Sequence, residues 1–107
     1  MRREYNKLVR DHIPEIIQNS GKRCQVETLS ETEYRQALLE KLVEEAREAR
    51  QAGAGDLVTE MADLQEVIAA VLAAWQISPE LVQQVQRQRH LDRGGFERRL
   101  QLLWTED

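Results

Sequence analysis

The residues best suited to chemistry form two acidic groups, Glu44-Glu45-Ala46-Arg47-Glu48 and Glu60-Met61-Ala62-Asp63. Both lie inside strong helical patterns, and Gly53-Ala54-Gly55 between them reads as a turn. In a helical hairpin centred on Ala54, Glu48 and Glu60 are each six residues from the turn, and Glu45 and Asp63 are each nine. Equidistant positions on antiparallel helices share a height, here roughly 9 Å and 13 Å along the axis. Glu45 and Glu48 are spaced i,i+3, as are Glu60 and Asp63, so each pair shares a helix face. Four carboxylates can therefore meet in one patch between two helices, where they repel unless a cation joins them. Oxygen-only ligands on a rigid frame suit Mg²⁺ or Mn²⁺.

A solvated acidic helix face is the plain alternative. Three features weigh against it. Glu40, Glu44 and Glu48 form an i,i+4 ladder of like charges, which destabilises a helix that has no further use for them. Glu45 continues an apolar line. The Glu60/Asp63 pair has the matching height. Lys41 can still pair with Glu44 or Glu45, so a purely structural ion-pair cluster is a second alternative.

Four helical segments must position these residues. A short first helix is expected after Asp11 as cap, with Pro14 in its first turn, Ile13, Ile16 and Ile17 on one face, and Gly21 ending it. Arg23 to Leu29 loosely alternates and reads as extended or a short edge strand. Ser30-Glu31-Thr32-Glu33 has the form of a capping box, opening a helix that runs to about Gln51. Its apolar line, Tyr34, Ala37, Leu38 and Leu42, runs into Glu45, Glu48 and Ala49. Asp56 should cap a third helix, to about Trp75, carrying Leu57, Met61, Leu64, Val67, Ile68, Val71 and Leu72. Ser78-Pro79-Glu80 starts a fourth, which turns basic at Arg87 and Arg89 and breaks at Gly94-Gly95. Phe96, Leu100, Leu102 and Trp104 lie on an irregular or strand-like tail, or on a last helical turn. The expected fold is an all-α antiparallel bundle. Its second and third helices carry more apolar surface than one hairpin covers, so association into a larger bundle as a dimer or higher homo-oligomer is expected.

Composition fits this picture. The 107 residues suffice for one domain, 1–107, with a modest core. A net charge of −4 implies no general surface for nucleic-acid polymers. A single cysteine, Cys24, cannot form an internal disulfide, which points to a cytoplasmic setting. No stretch approaches a membrane span, and the opening residues lack the apolar core of a signal peptide.

Glu-Glu-x-x-Glu followed by Glu-x-x-Asp on two antiparallel helices resembles the metal-binding signature of the all-α nucleotide pyrophosphohydrolases. These comprise MazG-like enzymes, dimeric dUTPases and phosphoribosyl-ATP pyrophosphohydrolase. Tyr5-Asn6-Lys7-Leu8-Val9-Arg10-Asp11-His12-Ile13-Pro14 is similar to the opening of small stand-alone members named phosphoribosyl-ATP pyrophosphohydrolase-like, and Arg93-Gly94-Gly95-Phe96-Glu97 to their ending. The resemblance covers nearly the whole chain. It implies Mg²⁺-dependent hydrolysis of a nucleoside triphosphate to the monophosphate and pyrophosphate. It also implies Glu45, Glu48, Glu60 and Asp63 as metal ligands, with Glu44 a ligand, a base or a positioning group beside Glu45.

The chemistry agrees with what the resemblance implies. Mg²⁺ binds carboxylates and phosphate oxygens together, activates water, and leaves a nearby carboxylate such as Glu44 or Glu45 to take the proton. The leaving pyrophosphate needs cations. Candidates are Lys7 and Arg10, spaced i,i+3, and Arg89 and Arg93, spaced i,i+4, each with surface solubility as its ordinary role. Gly94-Gly95 is a chain reversal and not a phosphate loop, because no strand precedes it. His12 and His90 lack ligand spacing, Trp75 is a core candidate, and Trp104 suits core, interface or a base-stacking lid. No stretch reads as a base-recognition motif. A catalytically idle nucleotide- or metal-binding dimer and a structural helical module are the competing functions.

Overall fold

Two long helices joined by five residues, Ala52–Asp56, carry the main packing of the chain. The computed structural model covers Met1–Asp107 and has four helices and no strand: α1 (Ile13–Asn19), α2 (Glu31–Gln51), α3 (Leu57–Ala74) and α4 (Pro79–Arg93). The chain divides into two compact units, Met1–Gln76 and Ile77–Asp107. None of the helices is long and apolar enough to cross a membrane.

In the first unit the capping box at the start of α2 is complete. Ser30 Oγ accepts from the Glu33 N–H at 3.2 Å, and Glu33 Oε1 accepts from the Ser30 N–H at 3.1 Å. These bonds favour the ionised side chain and hold the Glu33 carboxyl below its ordinary value. Ser30→Ala should lower the melting temperature by about 5 °C, the usual worth of a cap in a chain this size. The Ser30 N–H bond that chiefly lowers the Glu33 carboxyl survives in Ser30→Ala. Glu33→Gln is therefore the variant whose loss should be largest at neutral pH and shrink in acid, because a lowered carboxyl contributes stability that is lost as pH falls through its folded value. Melts of both variants at pH 7 and pH 3 check this.

Asp56 occupies the position before α3 as expected, but its side chain makes no capping bond; only its carbonyl accepts, from the Glu60 N–H at 3.1 Å. Asp11 does not cap α1. His12 precedes the helix, and a turn bond from the Ile13 N–H to the Arg10 carbonyl, 3.0 Å, sets its start one residue later. Gly21 follows α1 with φ +88°, a conformation other residues resist, and ends it as expected. Residues 23–29 form no strand, since no second strand is present to pair with them.

The α2–α3 hairpin is antiparallel. Near the start of α2, Arg35 donates to the Ala74 carbonyl at the end of α3, from Nε at 3.2 Å and Nη2 at 3.0 Å. Near the end of α2, Glu45 meets Glu60 and Asp63 close to the start of α3. Arg35 thus supplies a cation to the negative end of α3, while pairing with Glu31 at 2.7 Å. Its guanidinium also lies 5.6 Å from the Trp75 ring centre. Trp75 is 36% exposed and therefore not the core residue expected of it; it is a lid on this closure at the open end of the hairpin.

A two-helix layer buries only one stripe of each helix, and here the buried apolar side chains are Leu38 and Val67. The other faces stay open: Leu39 and Val43 on α2, and Leu57, Val58, Met61 and Ile68 on α3, are all exposed.

In the second unit, Ser78 Oγ accepts from the Leu81 N–H at 3.3 Å and Pro79 takes the first helical position, as expected. Gly94 ends α4 with φ +83°. Beyond a turn closed by the Arg99 N–H on the Phe96 carbonyl, 3.0 Å, the tail is irregular, and Phe96, Leu100, Leu102 and Trp104 are exposed. Trp104 is thus not a core residue of this unit.

Candidate metal centre

The acid patch is built by the same periodicity that builds the core. Glu45 lies two turns after Leu38 on the seam of α2, so it faces α3. Glu60 and Asp63 share the α3 face turned towards it. The result is a group in which one oxygen from each of Glu45, Glu60 and Asp63 lies within 4.8 Å of the others. Glu45 is only 7% exposed, the single buried charged residue of the chain.

The fourth expected ligand, Glu48, is exposed and stands outside that group. It is still close enough to act electrically. Burial, followed by the Glu48 charge, raises the Glu45 carboxyl above its ordinary value, with Lys41 opposing. Burial, then Glu48, Asp63 and Asp56, likewise raises Glu60. Both groups therefore hold their protons more readily than free carboxyls do.

Three cations surround the patch. Lys41 Nζ lies 3.4 Å from Glu44 Oε2 and 3.6 Å from Glu45 Oε1. Lys7 Nζ is 3.4 Å from Glu44 Oε1, and Arg10 Nη1 is 3.3 Å from Asp63 Oδ1. The Lys41 contacts follow from helical spacing. The Lys7 and Arg10 contacts span 37 and 53 residues, and no local pattern announces such pairs.

The residues fit a divalent cation. Glu45 Oε2 and Glu60 Oε2 are buried with no hydrogen-bond partner. A buried carboxylate oxygen without a partner is costly, and three cations nearby have not satisfied these two. Carboxylate donors alone match a hard ion such as Mg²⁺ or Mn²⁺.

Arg89 and Arg93 lie in the second unit, on the last turns of α4. There they line an open concavity together with His90, Gly95, Phe96 and Glu97. The negative end of the helix and the Glu97 carboxylate make this wall a poorer phosphate site than their spacing alone suggests.

No family model matches the chain, and no solved structure matches it. A protein of Mycolicibacterium smegmatis described only as uncharacterised is 48% identical over 54 residues, which make up 50% of this chain and 55% of that protein. The match thus spans about half of each.

Proposed function

We propose that this chain is a Mg²⁺-dependent nucleoside triphosphate pyrophosphohydrolase in which water cleaves the α–β phosphoanhydride to give a nucleoside monophosphate and pyrophosphate. The observation that carries the reading is the pair of buried, unpartnered oxygens on Glu45 and Glu60 beside Asp63. The resemblance of the acidic signature to the all-α nucleotide pyrophosphohydrolases supports it. In this reading Glu45, Glu60 and Asp63 hold the ion and Glu48 adds negative charge at the rim. Glu44, or Glu45 beside it, accepts the proton that the attacking water gives up. Lys7 and Arg10 take phosphate oxygens. A bound Mg²⁺ supplies neutralisation of the triphosphate and a more acidic water. A panel of canonical and modified nucleotides, assayed for pyrophosphate with Mg²⁺ and with EDTA, tests the reading: release from at least one nucleotide only with Mg²⁺ is expected, and none from any would remove it. The competing reading is an ion-paired structural cluster, which the Lys41 contacts with Glu44 and Glu45 favour.

The same proposal includes self-association in a cytoplasmic setting. Leu57, Val58, Met61 and Ile68 leave the outer face of α3 apolar and uncovered, and a two-fold pairing of hairpins would bury it in a four-helix bundle. Light scattering should report a dimer or larger at micromolar concentration; a stable monomer would contradict this part.

A further inference from the structure

We infer that Lys7 and Arg10 are exchangeable counter-ions, which sit on Glu44 and Asp63 in the ion-free protein and pass to the ligand's diphosphate when the metal enters, so that metal and diphosphate bind cooperatively. The inference rests on the metal-centre reading given above.

Geometry is its basis. The two cations come from one stretch of the N-terminal segment and reach opposite helices, Glu44 on α2 and Asp63 on α3, so that the segment straddles the carboxylate group. Asn6 just before Lys7 adopts a left-handed φ of +48°, which asparagine tolerates better than most residues. Tyr5 on the other side of that turn brings its ring to 5.7 Å from the Lys7 ammonium. Lys7 thus has a second, local contact besides its ion pair with Glu44.

Charge gives the direction of the exchange. Glu44, Glu45, Glu60 and Asp63 face three cations, Lys7, Arg10 and Lys41. With the Glu48 charge at the rim, five carboxylates face these three cations, and a divalent ion neutralises the negative surplus. Asp63 would then be shared between the ion and Arg10, and with the acids neutralised by the ion, Arg10 and Lys7 are free to take an anion. Lys41 is the least mobile of the three, with its side chain only 15% exposed and contacts to two glutamates, whereas Arg10 is 62% exposed. Ion pairs of the Arg10–Asp63 kind hold weakly and are easily exchanged. Guanidinium and ammonium bonds to phosphate oxygens are stronger, and the guanidinium can bind them two at a time. Coupling between the two ligands is reciprocal by linkage.

Calorimetric titration of the full chain tests this with Mn²⁺ alone and with methylenediphosphonate, a diphosphate analogue that is not hydrolysed, in the presence and absence of saturating Mn²⁺. In the wild type, Mn²⁺ should tighten diphosphonate binding about tenfold or more. In Arg10→Met, Mn²⁺ alone should bind equally well or about two- to fivefold tighter, the size set by losing one surface competitor. Its diphosphonate binding with Mn²⁺ should weaken about tenfold or more. Lys7→Met should weaken diphosphonate binding in the same way, and circular dichroism should show wild-type helicity for both. Unchanged diphosphonate affinity in both variants overturns the inference and leaves the metal centre standing. Weaker Mn²⁺ binding by a folded Arg10→Met also overturns it, because Arg10 would then brace Asp63 and not compete for it. A wild type that binds no Mn²⁺ overturns the metal-centre reading itself.

Discussion

Asp63→Asn should lower nucleotide turnover by about 100-fold or more while leaving the helical fold intact. The amide keeps the shape of the side chain but removes one of the three carboxylates that meet within 4.8 Å, and a neutral oxygen holds Mg²⁺ poorly. The substitution should not harm the ion-free protein. Asp63 contributes to raising both Glu45 and Glu60, so removing its charge relieves repulsion at two buried oxygens. What is lost in exchange is one exposed ion pair with Arg10, which is worth little. Melting temperature without metal should therefore hold or rise as activity falls. Monophosphate release by chromatography, beside thermal melts, checks both halves. Full activity in Asp63→Asn would remove this carboxylate from the mechanism.

Metal and pH should act on stability in opposite senses. The Glu45 and Glu60 carboxyls titrate above their ordinary value of 4.5 in the folded chain. Well below pH 4.5 both are protonated, folded or unfolded, and the fold suffers no repulsion between them. As pH rises above that, the unfolded chain releases these protons first. The folded chain must then give them up as well, and the stability they contributed is lost. The melting temperature of the EDTA-treated protein should thus decline as pH rises above about 4.5, and Glu45→Gln should flatten the decline. Mg²⁺ binds the deprotonated group, so its stabilisation should grow over the same range. At an ion concentration about a hundredfold above Kd the gain is about 2.7 kcal/mol, a rise on the order of 10 °C at neutral pH. If EDTA leaves the melting temperature unchanged and Mg²⁺ does not raise it, the ion-paired structural cluster is the better account.

Local signals read well from sequence. The Ser30–Glu33 box, Pro79 after Ser78, and Gly21 and Gly94 after their helices each bear on a few neighbouring residues, and each lies where its chemistry requires. The height argument also succeeded for Glu45, Glu60 and Asp63, because a short connection leaves two helices little freedom of register. Glu48 shows where height stops being enough. It matches Glu60 along the axis but is exposed and stands outside the three-oxygen group, so it acts on the patch through its charge. Asp11 and Asp56 show that a capping residue type does not guarantee a capping bond, since backbone turns at both places set the helix starts. Trp75 is a core candidate by sequence, but it ends the hairpin, where Arg35 lies over its ring and it stays 36% exposed. The ion pairs of Lys7 and Arg10 were not legible at all. They depend on the path of an N-terminal segment with no periodic pattern, and only the folded chain brings them to the acids.

The most direct test of the account is a calorimetric titration of Mn²⁺ into the EDTA-stripped, fully helical protein at neutral pH, in wild type and in Asp63→Asn. The expected result is saturable binding in the wild type, weakened about tenfold or more in the variant. A wild-type protein that binds no Mn²⁺, or binds it no better than Asp63→Asn does, would contradict the claim that Glu45, Glu60 and Asp63 form a metal centre.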